Sequence, residues 1–347
     1  MKIAYFLTWN LALNDGVAKK ILNQVSYWKE KGNEVRIFNQ YREYNKLNKL
    51  IVYYYNHKLL KGLNDYKPDI VYIRFESLTI TLFSILNKYK TIVEINSDDI
   101  KELSIDRSVI GELISLYNLL TRRLIYRKLS GLVFVTFELQ NTKHMNPFNK
   151  PSIVCPNPVI FDRGEKILDP LPKKNNFNVI FLCSSNYPWS GVDRIERIAQ
   201  FTSQITYHIV GINKSIKASN YGNIIYHGRQ DYKDYIKLCR KCDAGIGTMA
   251  LYRKKMNEAC PLKTREYISM GLPVIIAYND TMFLGLDRLP WWVLVLPNDS
   301  SANKQIGKKI EDFLISLSGR RIPIEDILRF SNFSSIEEMR LSFLSSI

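Results

Sequence analysis

Apolar runs of strand length alternate with amphipathic runs of helix length along almost the whole chain, and the series starts twice. The first opens at Lys2 to Leu7. A helical stretch from Val17 to Lys31 follows, with Ile21, Leu22, Val25 and Trp28 at helical spacing. Gly32-Asn33 stops it, and Val35 to Phe38 reads as the next strand. Strands recur at Ile70 to Ile73, Thr91 to Ile95 and Gly131 to Val135. Ile153 to Val159 then sets Pro156 and Pro158 around Asn157 as an extended connector, and residues 161–176 are polar. The series restarts at Asn178 to Leu182, with helices expected over 191–203, 231–241, 302–317 and 334–346. Its other strands are expected over 206–210, 223–226, 243–247, 273–277 and 292–296. Such β-α-β alternation argues parallel sheets with helices on both faces. The expected fold class is α/β, with two Rossmann-like doubly wound domains facing a cleft and a boundary after residue 160. In open sheets of this kind ligands bind at the carboxyl ends of the strands.

Composition narrows what such a chain does. The 347 residues favour two cores over one. A hydrophobic content of 46% with 24% charged residues excludes a disordered chain. No run approaches the ~18 to 20 apolar residues of a membrane span. Residues 1–7 read as a strand, not a signal peptide, so a cytoplasmic protein is expected. Five scattered cysteines do not suit a disulfide framework, and the lone Cys239/Cys242 pair has no second pair to complete a zinc site. The net charge of +16 fits nucleic acid, anionic lipid or phosphorylated small molecules. With no zinc finger, RNP-like motif or basic tail, a nucleic-acid partner is not expected.

The densest chemistry stands in Glu258-Ala259-Cys260-Pro261-Leu262-Lys263-Thr264-Arg265-Glu266, which runs into Tyr267 and on to Gly271-Leu272-Pro273-Val274-Ile275. Two carboxylates bracket two cations before a helix, a glycine turn and an apolar strand. A carboxylate grips a vicinal diol such as a ribose edge. Lysine and the N–H groups of a helix start meet phosphate oxygens. Together these suit a nucleotide sugar. An ordinary helix with a first-turn Glu266 and a solvated Lys263 is the bland alternative.

This spacing, followed by Glu266-Tyr267 and Gly271-Leu272-Pro273-Val274-Ile275, resembles the donor-site signature of retaining GT-B glycosyltransferases of the glycosyltransferase family 4 type. Asn14-Asp15-Gly16-Val17, Lys31-Gly32-Asn33-Glu34-Val35, Lys67-Pro68-Asp69-Ile70-Val71, Val154 to Val159, Val210-Gly211, Tyr226-His227-Gly228 and the helix from Phe333 to Ile347 are similar to further segments of that family, in its order. The resemblance implies an N-terminal acceptor-binding domain over 1–160, with helix 334–347 crossing back onto it, and a donor-binding domain over 161–333. It implies Glu266 on the ribose, Glu258 on the transferred sugar, Lys263 and Thr264 at the diphosphate, and Gly16 approaching the phosphates. Gly211, His227 and Arg229 would border the nucleotide, with His227 read either as a base contact or as a loop histidine. The chain departs from the family where a phosphate-clamping Arg and Lys are usual, since Ser190 precedes Gly191. Ser184, Ser185 and Arg194 are the replacements considered, and Trp189 either stacks in the cleft or packs under the loop. Asn96, with Asp98 beside it, stands where many members carry a sugar-contacting His. The resemblance implies front-face attack with Glu258 as a positioning residue. No metal or other cofactor is expected, there being no Asp-x-Asp motif.

Ile110 to Ser130 carries Arg122, Arg123, Arg127 and Lys128 among leucines and isoleucines, with no acid after Glu112. A basic amphipathic helix of this type lies on anionic lipid; a helix packed on a sheet with a solvated basic edge is the other reading. The Lys- and Tyr-rich Arg42 to Lys61 adds to the first reading. Trp291-Trp292 reads as core. The function expected is transfer of a sugar from a nucleotide-diphospho-sugar to a lipid-linked or polysaccharide acceptor. Retention of configuration, in bacterial surface polysaccharide synthesis at the inner membrane face, completes that expectation. A GT-B-type nucleotide-sugar epimerase and a non-catalytic homologue are the alternatives.

Overall fold

In the computed structural model of the chain, the six strands of the first series form one parallel sheet: β1 Lys2–Leu7, β2 Glu34–Asn39, β3 Ile70–Arg74, β4 Thr91–Ile95, β5 Gly131–Phe134 and β6 Ser152–Val154. The structure describes residues 1–13, 15–40, 55–74, 77–105, 109–161, 167–173, 175–183, 186–213 and 222–347. Asn14, Ser184, Ser185 and most of the Arg42 to Lys61 segment lie outside them. The strand order is β2-β1-β3-β4-β5-β6. The connecting helices are α1 Gly16–Glu30, α2 His57–Tyr66, α3 Ile80–Lys88, α4 Asp99–Ile105, α5 Val109–Lys128 and α6 Phe137–Asn141. Side chains of Asp15, Asn56, Thr79 and Thr136 cap the N-termini of α1, α2, α3 and α6, as short oxygen-bearing residues do.

The second series forms its own parallel sheet from β7 Phe177–Leu182, β8 Ile205–Val210, β9 Ile224–Gly228, β10 Ala244–Ile246, β12 Val274–Ile276 and β14 Val293–Val295. A two-residue ladder of β11 Glu258–Ala259 with β13 Asn279–Asp280, too short to leave a periodic trace in the sequence, stands apart. The helices are α7 Val192–Ala199, α8 Tyr232–Lys241, α9 Leu262–Ser269, α10 Lys304–Leu317 and α11 Ile324–Phe330. The last helix, α12 Phe333–Ser346, belongs to the first unit.

The two compact units are Met1–Pro156 with Phe333–Ile347, and Asn157–Asn332. The division falls four residues before the expected boundary because Asn157 is tied into the second unit. Its side-chain amide donates to Cys260 O at 2.6 Å, and its carbonyl accepts from Arg265 Nε at 2.7 Å. Of the tryptophan pair read as core, Trp292 is buried. Trp291 is exposed beneath the Arg320 guanidinium, 4.3 Å from its ring centre.

The first unit is held by a buried ionic network. Glu94 on β4 accepts from Lys20 of α1 at 2.6 Å, from Tyr72 of β3 at 2.8 Å and from Arg340 of α12 at 2.8 Å. Arg340 also reaches Glu337 at 3.2 Å, and Glu337 accepts from Trp28 Nε1 at 3.0 Å and Gln24 Nε2 at 3.1 Å. Burial alone would raise the Glu94 pKa, but Lys20 and Arg340 hold its carboxyl well below the usual carboxylate range. No helix among the described residues is long and apolar enough to cross a membrane.

Candidate functional site

The strand order of the second unit, β14-β12-β10-β7-β8-β9, reverses direction between β7 and β10. Loops leaving adjacent strands at such a switch diverge, and the crevice between them is where open α/β sheets take ligands. Here the loop after β7 and the loop after β10 are stitched together. Met249 N donates to Ser190 O at 3.1 Å, Ala250 N to Trp189 O at 3.2 Å and Arg253 Nη1 to Pro188 O at 2.7 Å. Trp189 stacks on Tyr187 with ring centres 4.6 Å apart, and Lys254 Nζ stands 5.3 Å from the Trp189 ring centre.

Lys263 reaches back to this switch. Its Nζ lies 4.0 Å from the centre of the Phe181 ring on β7. Among the described residues no carboxylate pairs with it. Burial pushes its pKa down to about 8. Pro261 is the N-cap residue before α9 and supplies no side-chain cap, so the first-turn N–H groups of Leu262, Lys263 and Thr264 carry no oxygen ligand from a cap. An ammonium with no carboxylate partner among the described residues, beside a helix start without a side-chain cap, combines the two features by which proteins hold anions.

The two carboxylates stand on either side of Lys263 in the sequence. Glu266 falls in the second turn of α9, not at its start, and accepts a hydrogen bond from the Tyr235 hydroxyl of α8 at Oε1. Glu258 sits on the β11 strand beside Asn279, not in an open loop. It is buried, and its Oε1 accepts from the Thr281 hydroxyl at 2.8 Å. Tyr235 and Thr281 were missed by spacing arguments, since both belong to elements distant in sequence.

Several expectations are corrected. The Thr264 side chain is fully buried and shares a 2.7 Å hydrogen bond with Tyr278, so only its backbone N–H is left for a phosphate. Arg194 is not a phosphate ligand. It is buried, with Nε on Ser301 O at 2.9 Å, Nη1 on Met249 O at 2.7 Å and Nη2 on Pro297 O at 3.0 Å. Its fork ties the loop after β10 to the loop after β14. Arg194→Met is expected to cost about 3 kcal/mol, because three buried acceptors lose a charged donor. Equilibrium urea unfolding measures this; a loss of nucleotide affinity with unchanged stability would restore the phosphate reading.

Gly211 has φ +101°, and a Cβ placed there would lie 1.6 Å from Cys183 O. Its place is steric, letting the loops after β7 and β8 touch. His227 is engaged with His208. His208 Nε2 donates to Asn178 Oδ1 at 3.2 Å, leaving His208 Nδ1 to accept from His227 Nε2 at 2.9 Å. Burial, and next the His227 neighbour, lower the His208 pKa to about 4. A group held neutral in the folded state and protonated near 6.5 when unfolded contributes stability that is lost as pH falls between those values. The melting temperature is therefore expected to drop between about pH 6.5 and 4, and His208→Gln to flatten that drop. Arg229 is exposed at the end of β9.

In the first unit, Gly16 is the first residue of α1, with no left-handed backbone. The Asp15 carboxylate already caps this helix, accepting from Ala18 N at 2.9 Å, which opposes an anion there. Asn96 donates to Glu94 Oε1 at 2.9 Å, and buried Asp98 is taken by Lys101 and His144. Arg122, expected on a membrane surface, is buried against Asp99 and the Met145 sulfur. Arg123, Arg127 and Lys128 are exposed.

The whole chain has the fold of GT-B glycosyltransferases. It aligns over 100% of its length with 99% of sucrose-phosphate synthase from Thermosynechococcus elongatus, at TM-score 0.68 and 11% identity. It aligns over 100% of both chains with HepE from Anabaena solved with UDP and glucose, at TM-score 0.61 and 14% identity. An α-glucosyltransferase solved with UDP and a 13-mer DNA matches over 99% of both chains, at TM-score 0.65 and 13% identity. No protein-family model matches the sequence, and no curated protein does.

Proposed function

We propose that the chain transfers a sugar from a nucleoside-diphosphate sugar to a hydroxyl of a lipid-linked or glycan acceptor, with retention of configuration, in the synthesis of a surface polysaccharide. The observation that carries this reading is Lys263: an ammonium without an anionic partner among the described residues, beside an uncapped helix start, at the strand switch and one turn from Glu266. The solved structures that share the fold and hold UDP support a nucleotide as the anion.

In this reading the diphosphate lies on Lys263 and the first-turn amides of α9, which stabilise the charge that develops as the sugar–oxygen bond breaks. Glu266, oriented by Tyr235, takes the ribose hydroxyls. Glu258, held by Thr281, takes hydroxyls of the transferred sugar and positions it for front-face attack by the acceptor. Lys263 supplies the charge that a metal would otherwise bring, so turnover is expected to survive EDTA.

A thermal-shift screen against UDP-, GDP-, ADP- and dTDP-sugars tests the proposal. A ligand that binds only the folded state raises apparent stability. One nucleotide class is expected to shift the wild type and to leave Glu266→Ala unmoved; no shift with any of them sinks the donor site. Tyr235→Phe is expected to weaken that nucleotide by roughly tenfold, the lower end of what one hydrogen bond to a charged group is worth.

A further inference from the structure

Helix α5 is built inside out. Its packed side carries Gly111, Asn118 and Arg122 ahead of Ile125 and Tyr126. Asn118 Nδ2 donates to Asp99 Oδ2 at 3.2 Å, and Arg122 pairs with the same carboxylate. Its outer side carries Leu113, Leu116, Leu120 and Leu124, between 52 and 68% exposed. Spacings of three and four residues align these leucines in one stripe. A helix surrounded by water turns its apolar stripe to the core and its polar residues outward; over most of its length α5 does the reverse. The stripe extends across α3, where Ile80 and Phe83 are exposed. The Tyr117 hydroxyl donates to Leu78 O at 2.7 Å, and Lys128 Nζ stands 5.4 Å from the Phe83 ring centre, joining the two helices. A contiguous apolar patch of this kind marks a docking surface.

The occupant is set by charge. Arg123, Arg127 and Lys128 border the leucine stripe, and Glu112 is the one acid in the helix. A second copy of this chain docking about a two-fold axis would set one net-positive patch against another, three cations to one acid on each side. An anionic bilayer offers the opposite charge and an apolar layer beneath it. We infer that the α3–α5 face docks on an anionic lipid surface, the leucines entering the acyl boundary and the three cations meeting phosphate headgroups. The inference rests on the surface of the first unit alone and is independent of the donor-site reading.

Flotation of the full chain with vesicles tests it. At 150 mM salt the wild type is expected to float with phosphatidylcholine:phosphatidylglycerol at 3:1 and to remain at the bottom with phosphatidylcholine alone. Leu116→Ser/Leu120→Ser/Leu124→Ser is expected to stay at the bottom with both, and Arg123→Glu/Arg127→Glu to lose at least tenfold in bound fraction. These residues are exposed, so both variants should keep the wild-type melting temperature. Flotation of the leucine variant like the wild type would overturn the inference. So would equal binding to neutral vesicles, or failure of the wild type to float. A stable wild-type dimer by light scattering that the leucine variant dissolves would assign the face to a second copy instead. Nucleotide-induced thermal shift, read in parallel, reports on the donor site separately.

Discussion

Lys263→Met is expected to lower kcat/KM for sugar transfer by about 10²- to 10³-fold, the effect of removing one preorganised charge-stabilising donor. Stability should hold or rise. The half-buried lysine lies against Phe181 with no carboxylate to balance its charge among the described residues, so methionine removes a desolvation cost and keeps the packing. Activity and stability thus move apart, which a merely structural lysine would not show. The pH dependence gives a second readout. Below about pH 8 Lys263 of the free protein is charged, the form that the proposed diphosphate contact requires. Above it, binding must take up a proton, and nucleoside-diphosphate affinity is expected to fall about tenfold per pH unit. Isothermal titration from pH 6.5 to 9.5 measures this. The methionine variant should show weak affinity without that slope; a wild-type profile flat through pH 8 would remove Lys263 from the phosphate.

Gly211→Ala is expected to cost more than about 4 kcal/mol, in the range reserved for backbone that has no room to move. Two causes add. The residue sits at φ +101°, and its new Cβ would lie 1.6 Å from the Cys183 carbonyl oxygen. Relief would require parting the loops after β7 and β8, and Gly211 is also tied to the end of β9 by its N–H on Gly228 O at 2.7 Å. Gly222→Ala is the control, since nothing stands within 4 Å of a Cβ there. Chemical denaturation of the pair should show a near-neutral control beside a variant that is unfolded or barely folded. Similar stabilities would show the Gly211 turn to be adaptable.

The two sheets were legible because parallel strands buried on both faces leave continuous apolar runs, and Val179 to Leu182 or Val71 to Ile73 admit few other readings. Glu258, Lys263 and Glu266 were legible as a group because they lie in one short stretch. What the sequence could not convey is which way a side chain turns. Arg194 and Arg122 look like surface or ligand cations by residue type; only the fold brings Ser301, Met249 and Pro297 carbonyls to the first and Asp99 to the second. Thr264 neighbours Lys263 in sequence yet points into the core, since a helix turns successive residues about 100° apart. Tyr235 and Thr281, which hold the two glutamates, came from elements whose approach no local spacing records.

Helix α12 gives the molecule an order of assembly. Lys20 and Glu94 are made early in synthesis, but Arg340, Glu337 and the seat of Trp28 are completed only by residues 333–347. On the ribosome, the second unit therefore has its entire sequence before the first can seal its ionic core. The unit translated first is the one whose sequence is completed last, and until then Glu94 lacks one of its cations.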